Sequence, residues 1–342
     1  MHSFRRILGV SAAFVLICLI LTGSLAWAFI ESEYAYDEDR TLRRSLAGQV
    51  DLLIAGASQP QRAIIPSMLD ESLGTYSYNL GGGWMNLIGD YRLLETELER
   101  NPVKDVFLAV SYATLTRTEA SDDYEGDTYI VPRLETMQDK ADYVLRCVDY
   151  RGYVSLYEYY VQQGWAYMLS AIRGEPVHNV NYDYRGWRPV TTKDVSLAED
   201  KVDQMHDSKP LDVDVRDENV KQLQDVLTLC RDHGAKVYLV VIPLSDQRMW
   251  RQSGWDTFLD YMQAFADEND VPLYDFNLLK NRWDLFNDKT SYCNDNHLSE
   301  EGAKVFTPVF AEIMGKAMAG EDVSAYFYDS YEQVKDMSPY AK

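Results

Sequence analysis

A serine and a histidine far apart in this chain have neighbours suited to a nucleophile and its base. Ser58 stands near the end of Val50 to Gln59, VDLLIAGASQ, just past an apolar run that stops at Gly56-Ala57. His297 closes Asn294-Asp295-Asn296-His297 and is followed by LSEEGAKVF. A serine hydroxyl is a weak nucleophile, and an imidazole within hydrogen-bond reach activates it by taking its proton. A third polar group on the far ring nitrogen then holds the tautomer. Singly, a serine in a strand-to-helix loop is most often a cap or turn residue, and a loop histidine says no more. Meaning comes from placing both on complementary loops of one sheet.

The elements that would position the pair alternate along the chain. Asp51 to Ala55 reads as a strand covered on both faces. Pro66 opens a short helix to Ser72, ended near Gly74. Thr75 to Leu80 is a second strand, Gly81-Gly82-Gly83 a flexible turn, and Trp84 to Arg100 a helix with Leu87, Tyr91, Leu94 and Leu98 on one stripe. Lys104 to Ser111 is a third strand. The pattern resumes with a helix over Asp217 to His233, a strand over Ala235 to Ile242, a helix over Asp256 to Asp267 and a fifth strand, Val271 to Asp275. Ser299 caps a last helix whose stripe is Ala303, Phe306, Phe310 and Ile313, with Pro308 expected to break or kink it. Short connections and right-handed crossovers turn this order into an α/β fold, a doubly wound, flavodoxin-like parallel sheet of five strands. Ligands of such sheets bind beyond the carboxyl ends of the strands, where the loops of Ser58 and His297 both open.

A long insertion, about 116–214, separates strands three and four. Eleven of the 25 tyrosines fall between Tyr124 and Tyr184, joined by Trp165 and Trp187. Met137 to Ile172 reads as helical and Asn179 to Arg188 as loop. The bland reading is a helical cap whose tyrosines pack inward; the sharper one is an aromatic wall for sugar rings or a polymer. Residues 50–320 would form the main domain, insertion included, and the tail 321–342 has no assignment.

Ile7 to Ile30 holds no charge over 24 residues, where about 20 suffice to cross a bilayer. Residues 1–30 therefore read as a cytoplasmic N-terminus and a transmembrane helix, the lipid contact lying in 7–30. Arg5 and Arg6 keep the first end cytoplasmic and put the bulk of the chain outside. Ala26-Trp27-Ala28 has the small-x-small form of a cleavage site, so removal of the segment stays open. Residues 31–49 would be a charged helical stalk. Against 33 Lys+Arg there are 54 Asp+Glu, a net charge of -21, which repels phosphate backbones and argues against nucleic-acid binding. Cys147, Cys230 and Cys293 follow the anchor's Cys18 at unrelated spacings, so neither a disulfide framework nor a metal pattern is expected. No cofactor is expected.

Gly56-Ala57-Ser58, Asn79-Leu80-Gly81 and DNHLSEEGAKVF together resemble the SGNH/GDSL hydrolase superfamily. The branch resembled is membrane-anchored and extracytoplasmic, with DltD-like and polysaccharide O-acetylation proteins. The resemblance covers about residues 45–115 and 215–318. It implies Ser58 as nucleophile and His297 as general base. The family's acid stands three residues before the histidine, where this chain has Asn294; Asp295 is the expected third member and Asn294 the reserve. The resemblance further implies an oxyanion hole built from the N–H of Ser58 and from the triple glycine, Gly83 foremost and Gly82 next to it. The family's block-three asparagine has no counterpart, since Ser111-Tyr112-Ala113-Thr114 stands there. The implied activity is hydrolysis or transfer of an acyl ester on an envelope glycan or teichoic acid, beside a membrane-bound O-acyltransferase. The alternative is a catalytically impaired binding or assembly subunit of the same system.

Overall fold

The short apolar runs become strands of one sheet in the computed structural model, which describes residues 2–33, 35–116, 125–174, 185–195, 209–211 and 214–338. They are β1 (Leu52–Ala55), β2 (Ser77–Asn79), β3 (Asp105–Ala109), β4 (Lys236–Val241) and β5 (Leu273–Asp275). Their order is β2-β1-β3-β4-β5, and every neighbouring pair is parallel. This is the doubly wound sheet the sequence predicts. All four residues of β1 are buried, which is why the run is continuously apolar instead of alternating.

The helices that cover the sheet start and stop at legible signals. They are α1 (Ser58–Ala63), α2 (Pro66–Leu73), α3 (Leu87–Arg100), α4 (Asp217–Asp232), α5 (Asp246–Arg251), α6 (Trp255–Glu268) and α7 (Glu300–Met318). Pro66 sits in the first turn of α2, and Gly74 ends that helix in the left-handed region at φ 69°. Helix α3 starts at Leu87, the first residue of its apolar stripe, and not at Trp84 as expected. The Asn86 side chain accepts from Gly89 N at 2.8 Å and caps it, after a turn in which Trp84 takes φ 53°.

Helix α7 runs unbroken through Pro308, contrary to the expected break. A proline removes the N–H that would bond the carbonyl four residues earlier, here that of Lys304. Both Lys304 and Pro308 lie on the exposed side, where water can take that carbonyl. The opposite stripe packs Phe306 and Phe310 against Phe107 and Phe276, with ring centroids 4.9–5.5 Å apart. Each such ring contributes about 2–3 kcal/mol on burial, enough to hold a helix with one missing bond.

The unassigned tail has a structural role. Its helix Tyr331–Met337 stacks Tyr331 on Trp255, centroids 5.4 Å apart and 18° from parallel. The Tyr331 hydroxyl donates to Asp275 Oδ2 at 2.6 Å. Burial pushes the Asp275 carboxyl up, and that hydrogen bond opposes the push.

The chain divides into two compact units. The sheet unit comprises Arg43–Asp122 and Tyr182–Lys342. The other joins Met1–Leu42 to Asp123–Asn181, so much of the insertion groups with the N-terminal segment. In this second unit, helix His2–Glu33 contains the apolar stretch Phe4–Ser24, 21 residues of mean hydropathy 2.4, none of them buried. It is long and apolar enough to cross a membrane. The segment expected as a stalk is helical over Ala35–Ser45, and its Asp39 forms a buried ion pair with Arg133 at 3.5 Å. Met137 to Ile172, read as helical throughout, is two helices, Met137–Cys147 and Tyr150–Arg173, the first opened by a Thr136/Asp139 capping box. Of the loop read over Asn179 to Arg188, residues 179–184 lie outside the described residues.

Candidate active site

Ser58 is the first residue of α1, two residues beyond a glycine that the fold requires. Gly56 has φ 125°, and a Cβ there would meet the Ala109 carbonyl at 2.7 Å. Only glycine permits this turn so close to β3. Its N–H is accepted by the buried Asp90 at 2.9 Å, which fixes the loop from below. Asn79 anchors the other side: its Nδ2 donates to the carbonyls of Pro60 and Ile64, and its Oδ1 accepts from Gly81 N. The serine thus stands over the carboxyl end of β1, beside the point where the sheet order turns from β2 to β3.

His297 comes from a hairpin instead of a plain loop. Strands β6 (Tyr292–Asn294) and β7 (His297–Leu298) pair antiparallel, with Asn294 directly opposite His297. The two-residue connection Asp295-Asn296 forms its tip. Residues facing each other across a two-residue turn present their side chains on one face. This geometry, more than charge, selects which side chain meets the far ring nitrogen. Asn294 Oδ1 lies 2.8 Å from His297 Nδ1, and His297 Nε2 lies 2.6 Å from Ser58 Oγ.

The expectation for Asp295 is corrected accordingly. Asp295 is at the tip, and its carboxylate faces Arg248 and Arg251 at 3.6 and 3.5 Å. Its carbonyl accepts from the Ser245 N–H and hydroxyl, which holds the tip in that direction.

The hydrogen-bond chain also settles the tautomer. Asn294 Oδ1 accepts from the Asn296 N–H at 3.0 Å. A backbone N–H can only donate, so the atom it meets is the amide oxygen. His297 Nδ1 must then carry the proton, and Nε2 presents a lone pair to the Ser58 hydroxyl. Burial, together with the neighbouring Arg62 cation, pulls the His297 pKa down to about 3. No carboxylate opposes that fall. The imidazole is neutral at physiological pH, in the protonation state that a base requires.

Two contributors escaped the reading of the sequence. Arg62 lies one helical turn from Ser58, so the i,i+4 spacing places both on one face of α1; its guanidinium also donates to Cys293 Sγ at 3.5 Å. Gln59 Nε2 donates to the Asn296 carbonyl at 3.3 Å and ties the helix to the hairpin tip. The first had a signal in the spacing, the second had none.

The oxyanion donors are only partly arranged as expected. Ser58 opens α1, where first-turn N–H groups lack intrahelical acceptors. Gly82 is corrected: its N–H donates to the Gly56 carbonyl at 3.1 Å and is committed to the loop. Gly83 stands in the following turn, next to Trp84 at φ 53°. In the third block, Ser111 N donates to Thr114 Oγ1 at 2.9 Å, so these two residues close a turn on themselves.

Beneath the hairpin lies a buried ionic cluster. Arg282 pairs with Asp246 at 2.8 Å and donates to the Leu244 carbonyl, as does the Tyr292 hydroxyl of β6. Burial, together with the nearby Asp246 charge, pushes the Asp288 carboxyl up to about 7. Its Oδ2 has no hydrogen-bond partner. The folded state therefore keeps a proton that the unfolded chain releases near pH 4. That contribution is full below about pH 4 and is lost as pH rises through about 7. Asp288→Asn should stabilise the protein at pH 8 by about 1–3 kcal/mol, with the difference vanishing near pH 4. Guanidinium unfolding of both proteins in detergent across that range measures it, and an equal gain at both ends would exclude the titration.

No protein-family model matches this sequence, and no curated protein matches it. Among solved structures, it is similar to one from Bacteroides fragilis NCTC 9343, provisionally named an acylhydrolase. The identity is 10% and the TM-score 0.37, over 84% of this chain and 99% of the other. It is also similar to one from Streptococcus pneumonia, provisionally named a platelet activating factor, at 12% identity and TM-score 0.38, over 88% and 98% of the two chains. Similarity this distant carries no argument about what the present chain does.

Proposed function

We propose that this chain is a membrane-anchored serine acyl-ester hydrolase or acyltransferase of the SGNH type, acting outside the cytoplasm on cell-envelope polysaccharide or teichoic acid. The contact of 2.6 Å between Ser58 Oγ and His297 Nε2, across 239 positions of sequence, carries the proposal. Apolar helix Phe4–Ser24 supports the anchor, and the SGNH-like sequence blocks support the substrate class.

In this reading Ser58 Oγ attacks the ester carbonyl while Nε2 of His297 takes the hydroxyl proton. The tetrahedral oxyanion is met by the N–H of Ser58 and by that of Gly83. Collapse breaks the bond to the leaving alcohol, which takes the proton back from Nε2 and leaves an acyl-Ser58. Water, or a hydroxyl of the acceptor polymer, then attacks the acyl carbon, giving its proton to Nε2 and restoring the serine. Asn294 keeps the ring in register throughout. A membrane-bound O-acyltransferase would supply the acyl group in the transferase version.

A fluorophosphonate probe tests the nucleophile directly. The full chain in detergent should label, and Ser58→Ala should not. Equal labelling of both, or none in either together with no turnover of simple acyl esters, excludes the enzyme. One observation favours a second reading, a binding or assembly subunit on the same scaffold: the ring is oriented by the amide of Asn294, not by a carboxylate. Glycan binding that survives Ser58→Ala in a protein without esterase activity would select that reading.

A further inference from the structure

Neither half of the Ser58–His297 contact belongs to the five-stranded sheet. Ser58 opens α1, six residues long, and His297 lies in the short hairpin of β6 and β7. A helix of that length and a lone hairpin are each marginal without tertiary partners. Their separation must be fixed from outside, and one strap of chain, residues 185–195, bonds to both.

On the serine side the strap starts from a fixed point. The Arg185 guanidinium pairs with Asp70, donates to the Ser77 carbonyl at 3.0 Å and lies 4.6 Å from the centroid of the Tyr76 ring. The Arg185 carbonyl accepts from the Asn79 N–H at 2.9 Å. Gly186 follows at φ 87°, so close that a Cβ would collide with the Asn79 carbonyl. The strap then closes α1, whose last carbonyls lack donors within the helix. The Arg188 N–H donates to the Gln61 carbonyl at 3.0 Å, and Trp187 Nε1 donates to the Arg62 carbonyl at 2.9 Å. The buried Trp187 ring packs with Ile65 and Ala303.

On the histidine side the Val190 carbonyl accepts from the Glu300 N–H at 2.8 Å, at the start of α7 and three residues past His297. Thr192 Oγ1 donates to the Thr290 carbonyl at 2.9 Å, and the Lys193 N–H donates to the Tyr292 carbonyl at 2.9 Å. The Val195 N–H donates to the Asp288 carbonyl at 2.9 Å, with its side chain in the main core. The strap thus holds the carbonyl end of the serine's helix and the base of the histidine's hairpin, while Gln59 bridges them at the tip.

We infer that strap 185–195 sets the separation of Ser58 Oγ and His297 Nε2, with Trp187 as the positioning residue on the serine side. The effect on rate rests on the hydrolase or transferase reading; the effect on the contact does not. Trp187 touches neither reacting atom and acts through the Arg62 carbonyl. A short helix released at one end swings at the other, and a misplacement of about 1 Å costs on the order of a hundredfold in rate. Phenylalanine at 187 would keep the ring packing and remove only the donor.

The full chain in detergent, its histidines labelled with nitrogen-15, tests both effects. His297→Gln identifies the His297 resonances by removing them, and Ser58→Ala shows where Nε2 resonates without the hydroxyl. In Trp187→Phe the Nε2 resonance should move toward its position in Ser58→Ala, and fluorophosphonate labelling of Ser58 should slow by roughly ten- to hundredfold. Trp255→Phe removes another indole hydrogen bond, to the Met249 carbonyl, and should change neither. Should Trp187→Phe fail to fold, Thr192→Val at an exposed position tests the hairpin side with the same two readouts. An unmoved Nε2 resonance overturns the inference whatever the labelling rate. So does a moved resonance with labelling at the natural rate, or an equal change in Trp255→Phe. If the natural protein does not label at all, the enzymatic reading fails, and the resonance alone decides the strap.

Discussion

His297→Gln will reduce turnover of a simple acyl ester by a factor of roughly 10⁴ to 10⁶, and Ser58→Ala will do the same. The double variant will be no slower than either single one. Serine and imidazole act as a unit: without the ring the hydroxyl keeps its proton, and without the hydroxyl the ring has nothing to activate. The residual rate would come from substrate binding and from the oxyanion donors alone. Glutamine is the informative replacement because it can still hydrogen-bond Ser58, so a loss reports missing basicity, not a collapsed loop. Steady-state kcat/KM for the three variants measures the effect. Additive losses in the double variant would mean that the 2.6 Å contact is structural.

Asn294→Asp will raise kcat/KM at pH 7 by roughly ten- to hundredfold, and it will move the acid limb of the pH profile upward. In the natural chain the imidazole pKa of about 3 keeps Nε2 free as a base across the neutral range. That same low value shows how poorly the site tolerates the imidazolium formed when the serine gives up its proton. A carboxylate 2.8 Å from Nδ1 would stabilise that cation while holding the same tautomer. If the proposed activity is right, the natural chain should therefore show no acid limb between pH 5 and 8, whereas the variant should lose activity as pH falls through a value near an ordinary imidazole's. Rates measured from pH 4 to 8 for both proteins decide this. A profile unchanged by the substitution would mean that charge behind the ring is irrelevant to the chemistry.

Asp295 shows where the sequence was insufficient. Reading along the chain, it is the acid nearest the histidine, and an acid is what a triad asks for. Yet side-chain direction in a hairpin depends on pairing, and pairing depends on whether Asp295-Asn296 turns tightly. Once the turn forms, position 294 faces the ring and position 295 faces Arg248 and Arg251, residues nearly fifty positions away. Gly82 failed for a similar reason. The sequence ranked Gly83 first and Gly82 next as donors, and only the close approach of Gly56 decides that the Gly82 N–H is committed to the loop.

The five parallel strands, the caps at Ser299 and Gly74, and the pairing of Ser58 with His297 were all legible from local pattern. Burial on both faces forces continuous apolar runs, and connections in a parallel sheet fix which loops share an edge. By contrast, nothing local predicted α7 running through Pro308, Tyr331 folding back onto Trp255, or the tyrosine-rich helix lying along the N-terminal apolar one. Each of those depends on a partner distant in sequence whose packing outweighs a local preference. Periodicity and spacing therefore settled which segments form the scaffold, and contacts made only in three dimensions settled what each side chain faces.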